Sequence, residues 1–149
     1  MPAPFVVMPE KASPALDVVG EKITVLASGA QTGGYEIFRQ VGVEGSGPPP
    51  HFHDWDESFY VVMGEIAFGI GADELVAGPG TLVHLPAGTT HWFRFGAGGG
   101  EMISMTSREG ASHLFRGIDR EVPPGPPDIE KLVRVAGENG VTIALPGNV

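Results

Sequence analysis

The stretch that decides the fold is residues 45–64, which read GSGPPPHFHDWDESFYVVMG. Two histidines, His51 and His53, lie two positions apart, and Glu57 follows four positions after the second. Alternate residues of an extended chain share one face, so the three side chains would converge if this segment formed a strand facing a cavity. Neutral imidazoles and a carboxylate together suit a divalent transition metal. The segment therefore predicts part of a metal site that needs a further ligand from elsewhere in the chain.

A candidate for that ligand lies in residues 80–91, which read GTLVHLPAGTTH. A short apolar run is followed by a Pro-Ala-Gly turn, and His91 opens the next strand-like run. His84 lies inside the apolar run, where a packed or cavity-lining histidine is the expected role. His113 lies in a later polar stretch and is expected to be structural or exposed. Only His91 is therefore predicted to complete the metal site.

The two segments together resemble the two signature motifs of the cupin superfamily. The first motif has Gly, His-x-His, Glu and Gly at fixed spacing, and this chain matches it at Gly45, His51, His53, Glu57 and Gly64. The second motif has Gly, Pro-x-Gly, His and Asn, and this chain matches it at Gly80, Pro86, Gly88 and His91, with Phe95 in place of the Asn. A His-x-His pair alone is more typical of a surface pair or of histidines that the backbone satisfies. The resemblance instead implies one metal ion held by His51, His53, Glu57 and His91.

Strand-like runs occupy most of the chain, and glycine-rich turns separate them. They are predicted at residues 22–27, 34–43, 57–63, 65–70, 74–76, 81–85, 91–95 and 102–107. Many short strands favour a sandwich or a barrel. The cupin resemblance selects an all-β jelly-roll barrel, a double-stranded β-helix. Similarity to single-domain bacterial cupins of the quercetin dioxygenase-like type extends from about Leu16 into the later part of the chain.

The two ends of the chain differ from this strand pattern. Residues 1–17 are interrupted by prolines and are predicted to form an N-terminal arm, with a single cupin domain at 18–149. From about residue 112 the pattern becomes helical, with helices predicted at 112–120 and 128–137, the second capped by Asp128. A final short strand is predicted at 141–145. This C-terminal segment could cover one mouth of the barrel.

The composition excludes several classes of partner. The 149 residues suggest one domain, and their net charge is −9 with only nine Lys and Arg, so neither nucleic acid nor an anionic membrane is expected to bind. The absence of cysteine excludes disulfides and thiolate ligands. No secretory signal pattern is present, and a cytoplasmic location is expected. By analogy with many cupins, a homodimer is expected, with a small molecule as substrate.

The predicted ligand set indicates an open, reactive metal site. Three imidazoles and one carboxylate leave coordination positions free, and without thiolate the site suits Fe, Mn, Ni or Co, with Zn also compatible. Glu57 is the catalytic candidate, because it could serve as a ligand or as a base. Parity along the strands predicts an apolar pocket formed by Phe59, Val61, Met63 and Phe93. An equally good interpretation is that these four side chains simply fill the barrel.

Three functions are compatible with these features. The first is a metal-dependent dioxygenase acting on a small aromatic or enediol compound, as the quercetin dioxygenase-like resemblance implies. The second is a non-oxidative metal-dependent isomerase, lyase or cyclase. The third is a small-molecule-binding cupin without turnover. Fold resemblance alone does not separate them, because one scaffold hosts many chemistries.

Overall fold

The computed structural model describes residues 2–144, which contain eleven strands, three α-helices and a 3-10 turn at Pro9–Lys11. The strands are β1 Leu16–Val18, β2 Glu21–Ala27, β3 Tyr35–Gly42, β4 His51–His53, β5 Glu57–Met63, β6 Ile66–Ile70, β7 Asp73–Ala77, β8 Leu82–Leu85, β9 His91–Phe95, β10 Gly100–Ser107 and β11 Val141–Ile143. The helices are α1 Gly29–Thr32, α2 Gly110–Glu121 and α3 Ile129–Glu138.

The strands form two antiparallel sheets. One has the order β1-β2-β3-β10-β5-β8, and the other has the order β11-β4-β9-β6-β7. Burial alternates along the long strands, as in β3, where every second residue is buried. This alternation places one face of each sheet towards a shared interior. The predicted all-β architecture with a helical segment after the strands is confirmed.

Tight turns follow the glycines that the sequence pattern indicated. Gly64, between β5 and β6, has a φ of 78°, and Gly71, between β6 and β7, has a φ of 59°. A side chain at Gly64 would also collide with the backbone carbonyl of Gly99. Glycine tolerates both the positive φ and the close approach, so the chain turns at both positions. The turn at Gly64 leads from one sheet to the other, and the turn at Gly71 closes the hairpin of β6 and β7.

The interior contains two hydrophobic clusters. The first, which we call the aromatic core, lies between the two sheets and consists of Phe59, Val61, Ile66, Phe68, Ala77, Val83, Leu85, Phe93, Phe95 and Met102. The second, which we call the helix-covered cluster, joins β1, β2 and β3 to α2, α3 and Trp55, and its strand residues are Val18, Ile23, Phe38 and Val141. The predicted C-terminal helices thus close part of the interior.

Polar contacts position the helices on the sheet. The buried carboxylate of Glu36 accepts hydrogen bonds from the backbone N–H groups of Gly29 and Ser112, both at 2.8 Å, and so ties the start of α1 to the start of α2. Asp128 caps α3 by accepting a hydrogen bond from the N–H of Lys131 at 3.1 Å, as predicted. Each contact satisfies backbone donors that a helix start leaves free.

Three short elements were not predicted from the sequence. They are β1, α1 and β4, each of three or four residues. The predicted strand at 141–145 is present as β11, Val141–Ile143, and Leu145 lies outside the described residues. Within residues 2–144, no helix is long and apolar enough to cross a membrane.

Candidate metal centre

The metal centre is assembled by strand pairing. β4 carries His51 and His53, and it pairs with β9 through His51 opposite His91. Nitrogen atoms of the three imidazoles all lie within 4.8 Å of one another, a geometry that could hold a metal ion. Three prolines precede His51, and their restricted φ angles favour the extended backbone that β4 needs. Sequence-distant histidines therefore meet because the five-stranded sheet places their strands side by side.

Backbone carbonyls orient all three imidazoles in the same way. In each ring Nδ1 lies at hydrogen-bonding distance from a carbonyl two residues away in sequence. The distances are 2.9 Å from His51 to Pro49, 3.1 Å from His53 to Trp55 and 2.8 Å from His91 to Thr89. A carbonyl can only accept, so Nδ1 carries the proton and Nε2 of the neutral ring keeps a free lone pair. Metal-binding histidines are held in this way in many proteins.

Glu57 brings a carboxylate to the same point from the six-stranded sheet. Its Oε1 lies 3.2 Å from Nε2 of His53 and 3.4 Å from Nε2 of His91. Nε2 of His91 is buried and has no hydrogen-bond partner among the described residues. His53 faces acceptors on both ring nitrogens, the Trp55 carbonyl and Glu57, and a neutral imidazole can donate to only one of them. A cation beside both Nε2 atoms and Oε1 would satisfy these groups, so the donor set fits a divalent metal.

The electrostatics keep the ligands in their metal-binding forms. Burial, together with the neighbouring His91, lowers the pKa of His51 to about 4. Burial alone would raise the pKa of Glu57, but the adjacent imidazoles of His53 and His91 outweigh that effect and lower it to about 2. Near neutral pH, His51 is therefore uncharged and Glu57 is ionised, as coordination requires.

Comparison with known proteins agrees with this geometry. Residues 39–105 match the family model described as the cupin domain. This segment therefore resembles a cupin domain. A curated relative, quercetin 2,3-dioxygenase from Bacillus subtilis, is 30% identical over 94 residues. The match covers 62% of this chain and 28% of that protein, so the chain spans less than a third of that relative's length.

Solved cupins and related proteins share the fold. An RmlC-like cupin from Shewanella frigidimarina superposes with a TM-score of 0.63 at 19% identity, covering 70% of this chain and 91% of the other. The polyketide cyclase RemF from Streptomyces resistomycificus gives a TM-score of 0.60 at 19% identity, covering 72% and 81%. At such identities the likeness concerns the fold alone. The predicted cupin jelly-roll fold is thereby confirmed.

A cavity opens beside the candidate metal centre. It contains about 650 Å³ of empty space, including its opening to solvent, and His51, His53 and Glu57 lie in its wall. The helices contribute an apolar wall formed by Ala111, Leu114, Phe115, Ile118, Leu132 and Ala136. The C-terminal helical segment therefore does lie over the interior beside the site, the position suggested from the sequence.

Only one of the four predicted pocket residues lines this cavity. Phe93 lies in the cavity wall. Phe59 and Val61 are buried in the aromatic core, where Phe59 packs against Phe93 with ring centroids 5.4 Å apart. For these two residues the structure agrees with the alternative interpretation, in which they fill the barrel.

Met63 does not join the pocket, contrary to the prediction. Its side chain is 61% exposed. In the pairing of β5 with β10, Met102 lies opposite Val61 and Glu101 lies opposite Met63, so Val62 is an extra residue in a β-bulge. A bulge breaks the two-residue alternation, and the residue after it points to the other face. The parity argument therefore fails at the last residue of the strand.

The two histidines outside the motifs are both exposed. His84 was expected to be packed or cavity-lining, which is wrong, because β8 points Val83 and Leu85 inward and His84 outward. Its Nδ1 lies 2.8 Å from the hydroxyl of Ser58 on the neighbouring strand. His113 lies on the outer face of α2, in agreement with the sequence analysis.

Three cavity residues were missed or underrated by the sequence analysis. Glu21 and Gln40 are buried and line the cavity. A signal existed, because each alternates with an inward apolar residue, Ile23 on β2 and Phe38 on β3. Trp55 is buried and stacks on His53, with ring centroids 4.2 Å apart and planes inclined by 8°. Its ring therefore supports the candidate ligand His53 directly.

Proposed function

We propose that this chain is a metal-dependent dioxygenase that acts on a small aromatic or enediol compound. The observation that carries the proposal is the convergence of three imidazoles and one carboxylate at the wall of an apolar cavity. Sequence similarity to a quercetin 2,3-dioxygenase supports a dioxygenase reaction. The geometry supports an enzyme more than a structural site, because a structural metal is usually closed off by its ligands.

The proposed cofactor is one divalent transition metal, Fe, Mn, Ni or Co, with Zn as a further compatible ion. When bound, such a metal supplies Lewis acidity and, for redox-active ions, chemistry with O2. Imidazole and carboxylate ligands without thiolate suit all of these ions. We expect His51, His53 and His91 to hold the metal through Nε2, because their Nδ1 atoms are engaged with the backbone.

The protein side chains would prepare the substrate. The apolar wall of α2 and α3 would hold a planar ring and exclude water from the reacting atoms. Glu57 lies at the cavity wall as a carboxylate and would accept the proton of a substrate hydroxyl. Holding the deprotonated substrate in one pose converts a bimolecular encounter with O2 into a positioned reaction.

The test is oxygen uptake by metal-loaded protein with flavonols and simple enediols. We expect O2 consumption that matches product formation, no turnover under nitrogen, and a loss of roughly a hundredfold or more in Glu57→Gln. His84→Gln is the matched control, because it changes an exposed residue on the outer face. Equal turnover with and without O2 would move the protein to the non-oxidative class. Wild-type turnover in Glu57→Gln would remove the proposed role of that carboxylate.

A further inference from the structure

The cavity has a second polar feature away from the histidines. Glu21, the first residue of β2, and Gln40 of β3 are 3% and 2% exposed and both lie in the cavity wall. Nε2 of Gln40 donates a hydrogen bond to Oε1 of Glu21 at 2.8 Å. The residues that α2 and α3 contribute to the wall are all apolar, so this pair and the candidate metal ligands supply its ionisable and amide side chains.

Glu21 is buried without a cation. Among the described residues, no Lys, Arg or His lies within 4.0 Å of its carboxyl group, and the adjacent Lys22 pairs outward with Asp17. Burial raises the pKa of Glu21 to about 8; the hydrogen bond from Gln40 lowers it, and the negative charge of Glu57 raises it. At neutral pH the group is mostly a carboxylic acid. Its second oxygen then carries a proton that it can donate.

Gln40 has an unused acceptor. Its Oε1 is buried and has no hydrogen-bond partner in the part of the chain that the structure describes. Leaving a buried polar atom unpaired is unfavourable, so such an atom in a cavity wall points to a missing partner. The pair thus presents one donor and one acceptor next to each other.

We propose that Glu21 and Gln40 form a subsite that binds a neutral hydroxyl group of the substrate, at a distance from the oxygen atoms that the metal centre binds. A hydroxyl can accept from the Glu21 carboxylic acid and donate to Oε1 of Gln40, which satisfies both groups. A carboxylate cannot donate to Oε1, and its charge would be repelled by Glu57. This inference rests on the proposed function, because it assumes a ligand whose other end reaches the metal.

The two polar sites and the apolar wall of α2 and α3 together define a substrate class. The metal centre favours vicinal oxygens, the helices favour an apolar ring, and the Glu21–Gln40 subsite favours an alcohol or phenol. We therefore expect a hydroxylated aromatic compound rather than an aromatic acid.

Three catechols with matched side chains test the subsite: 4-ethylcatechol, 4-(2-hydroxyethyl)catechol and 3,4-dihydroxyphenylacetate. Their binding to Co(II)-loaded protein is measured by calorimetry under nitrogen, so no turnover is needed. We expect the hydroxyethyl compound to bind roughly fivefold more tightly than the ethyl compound, as one or two net hydrogen bonds imply. The acetate should bind more weakly than either.

Two variants separate recognition from structure. Glu21→Leu should abolish the preference for the hydroxyl while leaving ethylcatechol binding unchanged. Glu21→Gln keeps a neutral donor at the same place and should retain the preference. A preference that survives in Glu21→Leu, or equal binding of the ethyl and hydroxyethyl compounds to the wild type, would overturn the subsite while the metal-site proposal stands. Failure of all three catechols to bind would overturn both.

Discussion

Two regions of the interior, the aromatic core and the helix-covered cluster, are built differently. The aromatic core is filled by side chains of the strands themselves, with Phe59, Phe68 and Phe93 in mutual contact. The helix-covered cluster borders the cavity. There the strands contribute His, Glu and Gln side chains to the cavity wall, and α2 and α3 contribute apolar ones. Side chains of the strands alone fill the aromatic core. The helix-covered region keeps a cavity, because polar side chains and two helices take the place of hydrophobic strand residues there.

The largest effect is expected from damage to the aromatic core. Phe68→Ala removes a completely buried ring that contacts two other aromatic rings. We expect a loss of about 3–5 kcal/mol in the free energy of unfolding, measured by urea denaturation. Metal bound per folded chain should not change, because Phe68 lies outside the cavity wall. Loss of metal in folded Phe68→Ala would show that the two regions are not independent.

The buried carboxyl group of Glu21 in the cavity wall should make the stability of the protein depend on pH. The pKa of Glu21 is about 8 in the folded protein and about 4.5 in the unfolded chain, so only the unfolded state releases this proton as pH rises between these values. Rising pH therefore favours unfolding. The free energy of unfolding of Glu21→Gln should match that of the wild type near pH 5 and exceed it by a few kcal/mol near pH 8.

Urea denaturation of the metal-free proteins at both pH values measures this difference. Glu10→Gln is the matched control, because Glu10 is exposed and should leave the pH dependence unchanged. A stability difference between Glu21→Gln and the wild type that is the same at both pH values would rule out an altered ionisation of Glu21.

Metal affinity should depend on the histidines of the motifs and not on the others. His53→Ala removes one Nε2 donor and should weaken binding of Co(II) by about a hundredfold or more, measured by competition with a chelator. His84→Ala removes an exposed imidazole and should have no effect on affinity. Equal affinity in all three proteins would exclude His53 as a ligand.

The smallest effect is expected from loss of the cap of helix α3. Asp128→Ala removes the side-chain acceptor that caps α3 and should reduce stability by about 1 kcal/mol. Because α3 contributes Leu132 and Ala136 to the cavity wall, catechol binding should weaken slightly as well. Asp128→Asn, which retains a capping oxygen, should behave like the wild type. An equal loss in Asp128→Asn would point to the charge rather than the cap.

The difference between the two regions also explains what the sequence could reveal. Fixed spacing in the motifs was enough to place His51, His53, Glu57 and His91 close together, because the pairing of β4 with β9 and the alternation in β5 follow regular rules. Met63 was misplaced because a bulge at Val62 depends on pairing with β10, which local sequence does not report.

The cavity wall was less visible for a related reason. Glu21 and Gln40 meet through pairing of β2 with β3, and their function depends on what the helices leave open. The second motif differs at Phe95, yet Phe95 is buried and pairs with Ile66, so β9 continues without the usual residue. Motif spacing thus predicts well which side chains converge, and it predicts poorly a cavity shared by strands and helices.

The pairing of β11 with β4 has a consequence for the order of assembly. Val141 lies opposite His53 and Ile143 opposite His51, so the short strand that carries two candidate ligands is held on one side by residues synthesised much later. A nascent chain that ends before β11 would have its other strands in place while this one lacks a neighbour. Long-range contacts of this kind form slowly, since a large loop must close first. Capacity to retain metal should therefore be acquired late in folding, after most of the barrel is already compact.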